Sequence, residues 1–236
     1  MKLVVLFFLI FININSYALT VLIDPGHGGD ELGAIGKLNG KEIYEKDLAL
    51  NLALKIKEKI KDKVDVYLTR TIDTHVDLQK RADIAELLKA DLFISIHFNS
   101  STEIHSHGFE TYYLDNSADA AVKKVESIEN QNKIGVEKTI NQILIDLIIQ
   151  KTVDTSSKLA RLIHLETDKK IRGQYKRKNR GLKKGLFYVL ALSKRPGVLI
   201  EAGFISNTKE LAVISTEKYL ESYAEAVAQG ILKSKF

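Results

Sequence analysis

Four stretches of this chain hold side chains whose type and spacing suit hydrolysis at a metal. The first is Ile23-Asp24-Pro25-Gly26-His27-Gly28-Gly29, a hydrophobic strand running into a glycine-rich turn centred on a histidine. Groups at the carboxyl ends of strands in an α/β sheet face the crevice where ligands bind. Flanking glycines let the backbone turn sharply and let another group come close to His27. A phosphate-binding loop does not fit, because no Lys-Ser/Thr follows and the histidine stands where a glycine is expected. A plain surface turn with an incidental histidine does fit. The second stretch, Leu92-Phe93-Ile94-Ser95-Ile96-His97-Phe98-Asn99, again ends an apolar strand in a histidine. One histidine at a strand end is more often structural than a ligand; two, on neighbouring strands, can bring two imidazoles within reach of one metal.

The third stretch, Glu42 to Asp47, opens a helical pattern with its apolar stripe at Leu48, Ala49, Leu52, Ala53, Ile56 and Ile60. Glu45 lies on that stripe, whereas Lys46 and Asp47 point away. A carboxylate on the buried side of a first turn needs a partner, and a cation is a natural one; stabilisation of the helix N-terminus is the alternative. Glu42 falls before the helix, so Glu45 is preferred. In the fourth, Glu201 closes the apolar run Val198-Leu199-Ile200, where an unpaired carboxylate is costly. Burial and a nearby cation would set its pKa for acid–base work; an ion pair with an Arg or Lys would also satisfy it. Two histidines and a glutamate, with water as fourth ligand, make a known catalytic zinc arrangement, and a further glutamate to activate the water completes a metallohydrolase set. The chain has no cysteine, which excludes disulfides, thiolate sites and a cysteine nucleophile, so any metal is held by His, Asp or Glu.

The elements that must position these groups alternate along the chain. Strands are predicted at Leu19–Ile23, Val64–Thr69, Leu92–His97, Phe109–Leu114, Leu186–Leu190 and Val198–Ala202. Helices are predicted at about Glu45–Lys61, Leu78–Lys89, Ser117–Ile149, Ser156–Lys170 and Glu217–Leu232. Alternation of this kind implies a single α/β domain with a central, mostly parallel (mixed) sheet flanked by helices. Residues 115–150 read as a helical insertion, polar at first and apolar at Ile143–Ile149. Residues 169–184 are strongly basic and read as a solvated face or loop.

At 236 residues, 45% hydrophobic and 28% charged, the composition is that of one globular domain. The net charge of +5 favours an anionic partner without choosing one. Nucleic acid is not expected, because the basic run carries only Tyr175 as a stacking residue. Lys2, the apolar run Leu3–Ile12 and the small-residue pattern Ser16-Tyr17-Ala18 read as a signal peptide, residues 1–18, leaving a domain at 19–236. The apolar run is much shorter than the roughly 20 residues a spanning helix needs. Export to the periplasm or cell wall is therefore expected, with no membrane span after cleavage.

The same stretches, in order, resemble the zinc-dependent N-acetylmuramoyl-L-alanine amidases of the Amidase_3 type. The matching segments are VLIDPGHGGDELGAIG (21–36), YEKDLALNLA (44–53), TRTIDTHVDLQKRADIA (69–85), ADLFISIHFNS (90–100), GFETYYL (108–114), NRGLKK (179–184) and VLIEAGFISNTKE (198–210). The resemblance implies a zinc held by His27, Glu45 and His97, Glu201 as acid–base, and peptidoglycan as substrate, cut between N-acetylmuramic acid and L-alanine. The 115–150 insertion resembles a regulatory helix of the subgroup used in daughter-cell separation, which holds an acidic residue on the zinc until an activator protein displaces it. Glu129 is then the candidate plug and Glu126 its competitor. A zinc peptidase acting within the stem peptide, or a wall-binding module without catalysis, would share much of this pattern. His105 and His107 read as rim residues, His75 and His164 carry no assigned chemistry, and Arg70 and Arg81 read as structural.

Overall fold

The computed structural model describes residues 19–130 and 142–234, so the signal-peptide reading lies outside the described residues. Along the chain run β1 (Thr20–Pro25), β2 (Ile35–Leu38), β3 (Lys41–Tyr44), α1 (Glu45–Ile60), β4 (Asp65–Leu68), α2 (Leu78–Leu87), β5 (Leu92–Asn99) and β6 (Phe109–Leu114). There follow α3 (Ala120–Glu129), α4 (Gln142–Thr167), β7 (Asn179–Gly185), α5 (Tyr188–Ser193), β8 (Gly197–Phe204), α6 (Thr208–Ile214) and α7 (Glu217–Lys233).

One six-stranded sheet runs in the order β4-β1-β5-β8-β6-β7. All of its pairings are parallel except that of β6 with β8. Helices cover both faces. Val21, Ile23, Ile94, Ile96, Val198 and Ile200 face α1 and α7, while Leu22, Phe93, Tyr112 and Leu199 pack with residues of α3 and α5. Each such aliphatic or aromatic side chain contributes roughly 1.5–3 kcal/mol by leaving water. The alternation of a two-sided parallel sheet thus accounts for the near-continuous apolar strands in the sequence. Among the described residues no helix is long and apolar enough to cross a membrane.

Three elements differ from the sequence reading. Leu186–Leu190 is not a strand: β7 ends at Gly185, and residues 188–193 form α5. The sheet edge is supplied instead by the basic run read as a loop, because Arg180 and Lys183 of β7 neutralise the buried Glu110 of β6. The break between the helices ending at Ile149 and starting at Ser156 does not occur either. α4 is continuous there, its hydroxyls turned back onto the helix, with Thr152 Oγ1 donating to Ile148 O at 2.8 Å and Ser157 Oγ to Asp154 O at 3.0 Å. The β2–β3 hairpin, closed by Asn39-Gly40 with both residues at positive φ, and the short α6 were unread.

Candidate metal centre and active site

The site sits at the carboxyl ends of β1, β5 and β8, three adjacent parallel strands. Pro25 pairs with Ile96, so His27, two residues past the end of β1, comes beside His97 on β5; His97 in turn pairs with Glu201 on β8. The two imidazole rings meet edge to face with centroids 5.0 Å apart. His27 sits at φ 57°, left-handed for a non-glycine residue, a conformation that costs on the order of 1–3 kcal/mol. Gly26 lets the His97 ring in: a Cβ on Gly26 would lie 2.4 Å from His97 Cε1.

Glu45 enters from the first turn of α1. That turn has no side-chain cap; the loop before it supplies carbonyls, with Glu45 N donating to Ala34 O at 2.9 Å and Lys46 N to Leu32 O at 3.2 Å. Gly33 allows this packing, since a Cβ there would stand 2.6 Å from both Glu45 Oε2 and His27 Cδ2. The carboxylate is fully buried and each oxygen is aimed by a backbone donor, Oε1 by Phe98 N at 3.0 Å and Oε2 by Ala34 N at 2.8 Å. Oε2 lies 3.2 Å from His27 Nε2, and Oε1 lies 3.1 Å from His97 Nδ1. Glu42, by contrast, is held by its neighbour Tyr44 outside this cluster.

A fourth ligand-type atom comes from α3. Glu129 Oε2 is 2.8 Å from His97 Nδ1 and 3.7 Å from His27 Nε2. One ligand atom from each of His27, Glu45, His97 and Glu129 lies within 4.8 Å of the others, so this set can hold a metal ion. Two nitrogen and two oxygen donors on four converging elements suit zinc, and the buried His27 Nε2 makes no hydrogen bond among the described residues. The electrostatics also favour a cation. Against the cost of burial, the carboxylates of Glu45 and Glu129 raise the pKa of both imidazoles, that of His97 well above its usual value. Charge on the imidazoles conversely holds Glu45 far below the usual carboxylate range despite its burial.

Glu126, the other candidate, is engaged outside this cluster. Its Oε1 accepts from Leu186 N at 2.6 Å and its Oε2 pairs with Lys123. Asn130, which the sequence did not single out, clasps the same segment: Nδ2 donates to Leu186 O at 2.8 Å and Oδ1 accepts from Tyr188 N at 3.1 Å. Val122 and Val125 complete the docking of α3 against Tyr112, Leu114 and Phe187.

Glu201 is fully buried, and neither carboxylate oxygen has a hydrogen-bond partner among the described residues. Burial and the nearby charge of Glu129 push its pKa well above the usual value. It does not line the cavity of about 860 Å³ that opens beside His27, Glu45 and His97, although Leu199, two residues earlier on β8, does. His75 lines that cavity, His105 and His107 are exposed in the loop after β5, and His164 bridges Thr111 and Asn179 away from the site.

With this geometry established, the comparisons fall into one pattern. Residues 21–233 match the family Amidase_3, N-acetylmuramoyl-L-alanine amidase. The chain is 33% identical to the N-acetylmuramoyl-L-alanine amidase AmiA of Salmonella typhimurium, over 90% of this chain and 74% of that relative. It is similar in structure to an N-acetylmuramoyl-L-alanine amidase from Clostridium difficile 630, with TM-score 0.69, 30% identity, and coverage of 92% of this chain and 96% of that one. It is also similar to the CwlD amidase from Clostridioides difficile in complex with the GerS lipoprotein, with TM-score 0.70, 27% identity, and coverage of 92% and 98%.

Proposed function

The chain belongs to the Amidase_3 family of N-acetylmuramoyl-L-alanine amidases, and from that premise we propose that it works as an exported, zinc-dependent amidase of the cell wall, held closed by its own α3. Its substrate is peptidoglycan, and the bond cut joins the lactyl group of N-acetylmuramic acid to L-alanine of the stem peptide. The observation that carries the reading is the convergence of His27, Glu45 and His97 within ligand distance, with Glu201 as the strand neighbour of His97.

His27, Glu45 and His97 would hold the ion, and when bound it would supply Lewis acidity toward the scissile carbonyl and lower the pKa of water. Ala34 N and Phe98 N aim the Glu45 carboxylate, and the two imidazoles keep it ionised. Glu201 takes a proton from the attacking water as the oxygen bonds to the carbonyl carbon. It returns the proton to the nitrogen as the C–N bond breaks, leaving a carboxylate on the sugar side and a free L-alanine amine.

In the closed arrangement Glu129 takes the position that water needs, and tethering gives it a high effective concentration. A partner that binds α3 when it is displaced shifts the population toward the open state, by as much as its affinity differs between the two. The relative bound to a lipoprotein supports a protein partner, and daughter-cell separation is the setting this regulation suits. The deciding experiment is digestion of purified peptidoglycan by the wild type and by Glu129→Ala, with fragments identified by mass spectrometry. Peptide-free glycan and stem peptides beginning at L-alanine are expected. Cuts within the stem peptide would replace the reading with a zinc peptidase, and binding without release would leave a wall-binding module.

A further inference from the structure

The turn that carries His27 is held from behind by cations. Consecutive carbonyls from Pro25 to Gly29 are each taken. Pro25 O accepts from Arg70 Nε at 3.2 Å and from Arg81 Nη1 at 2.9 Å. Gly26 O accepts from Arg70 Nη2 at 2.7 Å, and His27 O from Arg81 Nη2 at 2.9 Å. Gly28 O accepts from Glu31 N at 3.2 Å, and Gly29 O from Lys46 Nζ at 2.8 Å. Arg70 has two contacts more: Nη1 donates to Ile72 O at 3.4 Å, and the same Nη2 donates to Lys46 O at 2.9 Å. Gly26 precedes His27 and Lys46 follows Glu45, so a single guanidinium nitrogen ties together the backbones on which two ligand side chains stand.

We infer that Arg70 is a positioning residue for the metal, fixing the separation of His27 and Glu45 before any ion arrives; this rests on the zinc reading above. The cost of left-handed backbone at His27 makes such a device necessary, because a free turn would relax to a lower-energy conformation and carry the imidazole with it. Arginine suits the task where lysine does not. Its rigid planar fork presents several donors at fixed angles, whereas an ammonium on a flexible stem cannot hold three carbonyls in one geometry. The two arginines divide the work. Arg81 forms an ion pair with Asp24, which also accepts from Thr69 and Ser95, and so belongs to the fold as well as to the turn. The hydrogen bonds of Arg70 among the described residues all go to carbonyls, so replacing it strands no buried carboxylate.

The test is Arg70→Lys in the full mature chain, prepared metal-free. Three quantities are measured against wild type: zinc affinity by competition with a chromophoric chelator, the absorption spectrum of the cobalt-substituted protein, and the thermal midpoint of the metal-free form. Loss of a partner that orients ligands typically lowers metal affinity about 10- to 100-fold. A loss of that size is expected, with an altered cobalt spectrum and a nearly unchanged metal-free midpoint. Unchanged zinc affinity and cobalt spectrum would overturn the inference. So would a loss of affinity that only tracks a collapsed metal-free midpoint with a wild-type cobalt spectrum, since that marks a fold staple. A wild type that takes up no zinc would remove the metal reading itself, a result distinct from either. Should Arg70→Lys not fold, Lys46→Gln, which releases Gly29 O and the half-exposed carboxylate of Asp73, is read the same way, with a smaller loss in the same direction expected and none overturning the clamp.

Discussion

Two glutamates buried in one site have pKa values shifted in opposite directions, which supports the division of work proposed for them. Glu45 accepts from two backbone N–H groups and faces two imidazoles, so it stays ionised. Glu201 has no hydrogen-bond partner among the described residues, and burial with the nearby charge of Glu129 raises its pKa well above the usual carboxylate value. A carboxylate that stays charged suits ligation, and one poised to exchange a proton suits acid–base work. Glu201→Gln should therefore retain zinc, measured by metal analysis, while turnover on peptidoglycan falls by about 10²–10⁴-fold; loss of zinc from this variant would make Glu201 a ligand. A second buried acid carries a pH signature. Glu210 is pushed up to about 7 by burial, although Gly108 N donates to its two oxygens at 2.8 and 3.0 Å. Because the folded form binds this proton more tightly than the unfolded chain, with its ordinary value of 4.5, stability should fall as pH rises from about 4.5 to about 7 and level off above that. Thermal midpoints across that window should decline less in Glu210→Gln than in wild type, and parallel curves would reject the assignment. At this scale the ligand candidates were legible, because each sits where a strand or helix begins or ends. Their orienting donors were not: Ala34 N and Phe98 N are backbone groups that no residue type announces.

Among the elements, the sequence was clearest where one face is buried and poorest where burial is uniform. The stripe of α1 is buried at every position read from it, from Leu48 to Ile60. In the run Leu186–Leu190, Phe187, Val189 and Leu190 are all buried, and a short continuous apolar run does not distinguish a strand from a helix. That misreading matters, because the turn entering α5 receives α3. Glu126 and Asn130 hold Leu186 and Tyr188 by hydrogen bonds of 2.6, 2.8 and 3.1 Å, an arrangement in which Glu129, between them, is delivered to the histidines. If α3 is an inhibitory plug, removing the plug and loosening its clasp should act alike. Glu129→Ala should raise basal activity on peptidoglycan with no partner present. Asn130→Ala should do so more weakly; each neutral hydrogen bond contributes about 0.5–1.5 kcal/mol, so loss of the bonds to Leu186 and Tyr188 would favour the open state by roughly 5- to 150-fold. Wild-type basal activity in Glu129→Ala would reject the plug, and wild-type activity in Asn130→Ala alone would reject only the clasp.

The whole molecule is joined by the site as much as it carries it. His27 follows β1, Glu45 starts α1, His97 closes β5 and Glu129 ends α3, so an ion bound by all of them would link both layers of helices to the sheet between. The sheet order that makes this convergence could not be read from strand positions alone. β8, last of the strands in the chain, inserts between β5 and β6, a pairing set by packing across the sheet and not by any local pattern. Such a link has a thermodynamic consequence, because a ligand that binds only the folded form stabilises it by mass action. Zinc at about 100 times its dissociation constant adds about 2.7 kcal/mol, which for a domain of this size raises the thermal midpoint by about 5–11 °C. The wild type should show that rise on titration with zinc and lose it on chelation, whereas His97→Ala should show neither. Glu129→Ala separates the closed arrangement from the bare site. If Glu129 is a ligand in the closed form, this variant should still respond to zinc but need a higher concentration for the same rise, because one donor must be replaced by water. Equal zinc responses in Glu129→Ala and wild type would mean that α3 lies over the metal without touching it, and inhibition would then act by excluding substrate and not by occupying the coordination position that water needs.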